Sequence, residues 1–302
     1  MIKIPPYLKK GDTIGIVCPA GYMALDKVQT CITTLQEWGY NVKVGKTVGG
    51  DSQTYFSGTD EERLTDFQQM LDDDEVKTIL CGRGGYGMGR IIDKIDFKKF
   101  RKQPKWIVGY SDITVLHSHL YSNYYISSLH APMAGAFNEE GYKNEFVLSL
   151  KNVLQGKKIK YSCPAHEFNR KGEAVGELTG GNLALLAHLT GTNSDSKTKG
   201  RILFIEDVGE YSYNVDRMLH QLKRSGKLSR LAGLIVGGFT DMKDTERPFG
   251  KPVYEIIREV IKEYDYPVCF DFPVSHTDRN YALKVGVGYK LKIGKTKVVL
   301  EE

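Results

Sequence analysis

Residues 106–117 read Trp-Ile-Val-Gly-Tyr-Ser-Asp-Ile-Thr-Val-Leu-His. An apolar run enters a Gly-Tyr-Ser-Asp corner and a helical pattern leaves it. Ser111 is therefore expected on a sharp strand-to-helix turn, where a hydroxyl can stand out at the carboxyl edge of a sheet. Serine hydrolases use such an elbow to expose a nucleophile beside backbone N–H donors, which is the chemistry of acyl-bond cleavage. Ile113 stands where hydrolase elbows usually carry glycine, and a Ser or Asp at this place can also simply cap the next helix. In the nucleophile reading the N–H of Asp112 is the first oxyanion donor.

A nucleophile of this kind needs a second donor, a base and an acid. The stretch 81–90, Cys-Gly-Arg-Gly-Gly-Tyr-Gly-Met-Gly-Arg, follows a strand signal and holds five glycines in the eight positions 82–89. It can supply the second donor, the N–H of Gly85. A rival reading takes Gly82, Gly84 and Gly87 as a dinucleotide-binding fingerprint, with Asp112 as the ribose acid. The run 201–210 delivers Glu206 and Asp207 at the end of a buried-type strand, and either acid could orient a histidine. His276 lies in a polar loop (Pro-Val-Ser-His-Thr-Asp-Arg) between two strand signals, which favours chemistry over core packing. His130 ends a strand and could line the site. His117, His119, His188 and His220 fall on expected helices and read as structural or exposed. Gly45-Lys46-Thr47 and Gly294-Lys295-Thr296 are not phosphate loops, because Tyr40 and Tyr289 stand where the first glycine belongs.

The elements that must position these residues alternate in the first half. Strands are expected at 13–18, 41–44, 76–81, 106–109 and 126–129. Helices are expected at 25–38, from a Thr59/Glu62 capping box to about 71, and from the elbow to about 122. Alternation of this kind argues for a mostly parallel sheet covered on both faces, with ligands outside the carboxyl ends of its strands. In the second half strands are expected at 174–178, 201–205, 231–237, 267–270, 283–287 and 297–300, and helices at 181–189, 213–223 and 252–263. The domains are placed at 1–150 and 172–302, with a linker at 151–171.

The bulk numbers permit two domains: 302 residues, 41% hydrophobic, 26% charged and a net charge of +5. Lysines are spread along the chain, and the short basic run 98–102 reads as a solvated face rather than a nucleic-acid patch. Five cysteines form no Cys-x-x-Cys pair and no zinc spacing. Free thiols, no signal-peptide core and no membrane-length apolar stretch give the expectation of a cytoplasmic enzyme without nucleic-acid or membrane partners.

Taken together, the stretches resemble the LD-carboxypeptidase family of serine peptidases, which also contains the microcin C immunity peptidases. The likeness runs through 10–17 with Pro19-Ala20-Gly21, Arg83-Gly84-Gly85-Tyr86-Gly87, Gly109-Tyr110-Ser111-Asp112-Ile113-Thr114, His130-x-Pro132-Met133, Gly180-Gly181-Asn182-Leu183, Glu206-Asp207-x-x-Glu210, 216–219 and His276. Ala131 departs from the glycine of the family's His-Gly-Pro-Met stretch, a small-for-small change. The resemblance implies a flavodoxin-like nucleophile domain and a second, β-rich α/β domain. It implies Ser111 as nucleophile, His276 as base, Glu206 as acid, and Gly85 and Asp112 as oxyanion donors. It also implies a murein tetrapeptide substrate cut before its terminal D-Ala, no metal or other cofactor, and a homodimer. Arg83, beside the oxyanion loop, could hold the substrate carboxylate or shape the loop. Within the family the alternative substrate is a toxin-like peptidyl–nucleotide amide.

Overall fold

The computed structural model describes residues 2–137 and 143–302. The chain divides into two compact units. The first runs to Lys157 and takes back Tyr281–Lys284; the second holds Lys158–Asn280 and Val285–Glu302.

In the first unit the elements are β1 (Thr13–Val17), α1 (Gln29–Glu37), β2 (Asn41–Val44), α2 (Asp60–Asp72), β3 (Val76–Cys81), α3 (Met88–Ile91), α4 (Lys98–Lys102), β4 (Trp106–Gly109), α5 (Thr114–Tyr124), β5 (Ser128–His130) and α6 (Glu145–Leu154). The sheet order is β2-β1-β3-β4-β5, with Leu283–Val285 added beyond β5. The pairs among β1 to β5 are parallel. This is the flavodoxin-like doubly wound order. The central strands are buried over nearly their whole length, as expected for a parallel sheet covered on both faces.

Local signals explain several boundaries. Thr59 and Glu62 form the reciprocal capping box that starts α2 (Thr59 N–H to Glu62 at 2.7 Å, Glu62 N–H to Thr59 at 3.2 Å). The helix expected at 25–38 begins as a 3-10 turn, Leu25–Val28, and becomes α-helical only at Gln29. α5 ends on Tyr125 in the left-handed region, φ 53°. The fifth strand starts two residues later than expected and ends one later, so that His130 rather than Leu129 is its last residue.

The second unit contains β6 (Lys160–Pro164), β7 (Gly172–Asn182), α7 (Leu183–His188), β8 (Ile202–Val208), α8 (Ser212–Arg224), β9 (Gly233–Thr240), α9 (Val253–Val260), β10 (Val268–Cys269), β12 (Gly288–Ile293) and β13 (Lys297–Glu301); β11 (Leu283–Val285), between β10 and β12 in the chain, is the added strand of the first sheet. Its seven-stranded sheet is ordered β10-β9-β8-β7-β12-β13-β6. β7 joins its two halves. Residues 178–182 pair in parallel with β8, and residues 172–177 pair antiparallel with β12. Leu183, Val215, Leu219 and Ile257 of the three helices pack with Leu203, Ile205, Leu234 and Val236 of the parallel strands in one core.

Three expectations need correction. The segment 151–171 is no linker: it finishes α6 and supplies β6, which pairs with β13. β6 escapes sequence reading because only Cys163 of its five residues is buried. The helix expected from 181 starts at Leu183, because β7 continues through Gly180 and Gly181 and Asn182 caps the helix, its side chain accepting from Leu185 N–H at 3.2 Å. β12 has no counterpart among the expected strands, although Tyr289, Leu291 and Ile293 are buried and alternate with less buried residues, the period of a half-buried strand.

Candidate active site

The elbow in the first unit is strained where sequence reading places the nucleophile. Tyr110 is extended (φ −148°, ψ −170°) and Ser111 turns to φ 62°. A non-glycine residue held in the left-handed region costs free energy and concentrates at functional positions. A helix-capping role has no support. No side chain caps α5 or the 3-10 turn before it, and the Asp112 carboxylate points back to the glycine loop, accepting Met88 N–H at 2.7 Å. Burial pushes the Asp112 carboxyl up to about 6, against the pull of the Met88 N–H and the Arg63 charge.

The end of β4 is anchored from below. His117 on α5 is fully buried and bonds Gly109 O through Nε2 and Ser128 Oγ through Nδ1, both at 2.8 Å. Burial holds its pKa down at about 4, so the ring is neutral. The carbonyl at Nε2 assigns the proton there, and Nδ1 accepts from the serine.

The glycine loop lies directly against this elbow. A Cβ built on Gly84 would stand 2.9 Å from Ser111 Cβ and 3.1 Å from its Oγ. Only glycine allows that approach without displacement. The loop is braced by the turn after β1, since Gly21 N–H donates to Gly84 O at 3.0 Å and Arg83 Nη1 donates to Tyr22 O at 3.0 Å. Gly85 is exposed with φ 99°. Arg83 is exposed at the same loop, tied to the neighbouring turn. His130 is fully buried, its ring 5.9 Å from Tyr110 and 6.5 Å from His117.

The rival dinucleotide reading fails on this geometry. The acid it needs, Asp112, is 1% exposed and already bonded to the loop's own backbone. The helix after the loop is a single turn, Met88–Ile91.

In the second unit, Glu206 near the end of β8 is fully buried and accepts His276 Nδ1 at 2.6 Å. Asp207 faces elsewhere. It accepts Asn182 Nδ2 and Val208 N–H at 2.8 Å and Ala184 N–H at 3.0 Å, which makes it an anchor for the start of α7. Of the two acids left open by the sequence, Glu206 is thus the one that meets the histidine. Burial works against the His276 charge, but the hydrogen bond and charge of Glu206, with Asp207 behind it, prevail and raise its pKa above the usual imidazole value. With Nδ1 donating to the carboxylate, Nε2 is left as the acceptor nitrogen, the tautomer of a general base.

The loop carrying His276 is seated on glycines of β9. A Cβ on Gly237 would fall 2.1 Å from Val274 O, and Gly238 N–H donates to that same carbonyl at 2.9 Å. Ser275 Oγ bonds Thr277 Oγ1 at 2.7 Å and Arg279 O at 3.0 Å, closing the loop on itself.

Two domain models match the chain, the LD-carboxypeptidase N-terminal domain over residues 14–131 and the LD-carboxypeptidase C-terminal domain over 175–291. A probable murein peptide carboxypeptidase of Bacillus subtilis is 37% identical over 98% of this chain and 94% of its own length. The chain belongs to the LD-carboxypeptidase family. It is a serine-type carboxypeptidase, a hydrolase. The crystal structure of a muramoyltetrapeptide carboxypeptidase from Oxalobacter formigenes superimposes with a TM-score of 0.84 at 29% identity, covering 96% of this chain and 98% of that one. The Microcin C7 self-immunity protein MccF of Escherichia coli is 26% identical over 93% of this chain and 90% of its own length.

Among the described residues no group of three or more His, Cys, Asp and Glu side chains could hold a metal ion, and no helix is long and apolar enough to cross a membrane. Sequence reading missed Arg63. It lies on the inner stripe of α2 with Phe67, Met70 and Leu71, is fully buried, and donates to carbonyls of the two loops around Gly84. An arginine at the spacing of a buried apolar stripe was the available signal.

Proposed function

We propose that this carboxypeptidase hydrolyses the L,D-amide before the terminal D-Ala of a murein tetrapeptide, with Ser111 as nucleophile, His276 as general base and Glu206 as the acid that orients it. The observation that carries the reading is the Glu206–His276 pair at 2.6 Å, in a chain whose other unit holds a serine at φ 62° on a strand-to-helix elbow. In this mechanism His276 takes the Ser111 proton as Oγ attacks the amide carbonyl, and Glu206 stabilises the imidazolium. The N–H groups of Gly85 and Asp112 receive the oxyanion. His276 then passes its proton to the leaving D-Ala amine, and water, deprotonated by the same base, releases the acyl-enzyme. Arg83 is the cation proposed for the free carboxylate of the substrate, with His130 supporting the pocket from within. The substrate assignment follows the names of the Bacillus and Oxalobacter relatives. A cytoplasmic homodimer acting on recycled muropeptides completes the proposal.

The test is purified protein with muramoyl tetrapeptide, read by mass spectrometry for loss of one alanine. Ser111→Ala is expected to abolish turnover, and full activity in that variant would overturn the mechanism. A peptidyl–nucleotide amide run in parallel distinguishes the activity suggested by the MccF likeness.

A further inference from the structure

The peptide group between Gly87 and Met88 is gripped at both ends by buried charges of opposite sign. Its carbonyl accepts Arg63 Nη1 at 3.1 Å, and its N–H donates to Asp112 Oδ2 at 2.7 Å. The same Arg63 nitrogen also donates to Pro19 O at 2.7 Å, so one guanidinium holds the turn after β1 and the glycine loop after β3. Its other terminal nitrogen pairs with Asp60, and Asp60 accepts in addition from Arg90 Nε at 2.9 and 3.0 Å. The Phe56 ring lies 4.9 Å from the Arg63 guanidinium carbon.

A fully buried guanidinium is costly to desolvate unless its partners are well placed. If α2 needed only to pack, an apolar side chain at position 63 would serve, as Phe67 and Met70 do on the same stripe. The chain also yields a side chain at position 87 to admit the arginine. Gly87 has φ 151°, and a Cβ there would lie 2.6 Å from Arg63 Nη1. The clamp therefore uses three positions, Arg63, Gly87 and Asp112, to fix one peptide. That peptide closes the loop whose Gly84 touches Ser111.

We propose that Arg63 and the Asp112 carboxylate are positioning residues, which hold the Gly87–Met88 peptide and so set the Gly85 N–H against the Ser111 elbow. The proposal rests on the reading of Gly85 and Asp112 N–H groups as the oxyanion donors. The Asp112 side chain gains a role separate from that of its backbone. Both side chains are buried and bond the backbone of the loop, so their loss is expected to act on kcat, as for an interaction that matters in the transition state alone.

The experiment uses the full chain and the tetrapeptide assay, with active sites titrated by a fluorophosphonate that labels Ser111. Arg63→Met and Asp112→Ala are each expected to lower kcat per titrated site about 10²-fold, the scale of one lost oxyanion donor, with KM within about threefold. Asp112→Asn keeps an acceptor for the Met88 N–H and is expected to restore most of the loss of Asp112→Ala. Arg63→Lys keeps a donor and a charge, and serves where Arg63→Met does not fold. The double variant Arg63→Met/Asp112→Ala is expected to lose no more than the worse single one, because both release the same peptide. Unchanged kcat per titrated site in the single variants, or losses that multiply in the double, overturns the proposal. Full activity in Ser111→Ala instead overturns the serine mechanism, and with it the oxyanion reading on which the proposal rests.

Discussion

Replacing Glu206 by Gln keeps the shape of the side chain and removes the charge that His276 meets at 2.6 Å. Two unit charges about 4 Å apart at an effective dielectric near 20 interact by about 4 kcal/mol. A single charge-assisted hydrogen bond contributes about 1.5–3 kcal/mol net. At about 1.4 kcal/mol per pK unit, the His276 pKa should fall by roughly one to three units, because burial is then opposed only by the Asp207 charge. The wild-type value lies above the usual 6.5, and the variant value lies below that of the wild type. A general base must be neutral, and the acid limb of kcat/KM reports its pKa in the free enzyme. That limb is expected above pH 6.5 in the wild type and at least one unit lower in Glu206→Gln. The plateau should fall by roughly 10- to 10³-fold, the same energy now missing from the imidazolium of the transition state. The Gln amide can also present its NH₂ to Nδ1, which puts the proton on Nε2 and disables the base. Stability follows the same sign. The folded pKa of His276 is raised, so the contribution of the pair is complete below the unfolded value of 6.5 and fades as pH rises through the folded value. Denaturation at pH 6 should separate wild type and variant more than at pH 9. Rate profiles from pH 5 to 9, with NMR titration of His276 alongside, make the measurement. An acid limb that stays in place or moves up, with a plateau within about threefold of wild type, would refute the assignment.

Gly84→Ala puts a methyl group 2.9 Å from Ser111 Cβ; kcat/KM should drop about 10²-fold from misplacement of the proposed nucleophile, against a stability loss of about 1–3 kcal/mol, as read by fluorophosphonate labelling rate and melting. His117 stays neutral in the folded state, with its pKa near 4, so protonation of the unfolded chain removes stability as pH falls from 6.5 towards 4, by up to about 3 kcal/mol. His117→Gln should flatten that slope in urea denaturation across this window, and an unchanged slope would show that another group governs it.

Why some of this was legible and some was not has a physical basis. The elbow and the glycine loop were readable because each is a local event. A buried strand ends, a turn with special φ follows, and a helix begins. Strand 283–285 was also locally apparent, but nothing in its own residues says which sheet it joins. Its membership of the first sheet, beside β5, comes from pairing partners more than 150 residues earlier in the chain. Arg63 failed for a related reason. A charge on a helix reads as solvent-facing until the backbone carbonyls it serves, at positions 19 and 87, are brought together by the sheet.

The choice between Glu206 and Asp207 separates the two kinds of information most clearly. Neighbours on a strand point to opposite faces, so the sequence requires the two acids to do different things. It does not say which face receives the histidine. β8 changes register against β9 between Ile205 and Asp207, and such irregularities re-aim side chains at strand ends. The other determinant lies on the neighbouring strand, where Gly237 and Gly238 let the 272–276 loop lie against the backbone of β9. A larger residue at Gly237 would meet Val274 O and lift the loop away. The acid of the proposed triad is thus selected by a pair of glycines about thirty residues downstream in β9, through close backbone packing that no pattern within residues 201–210 contains.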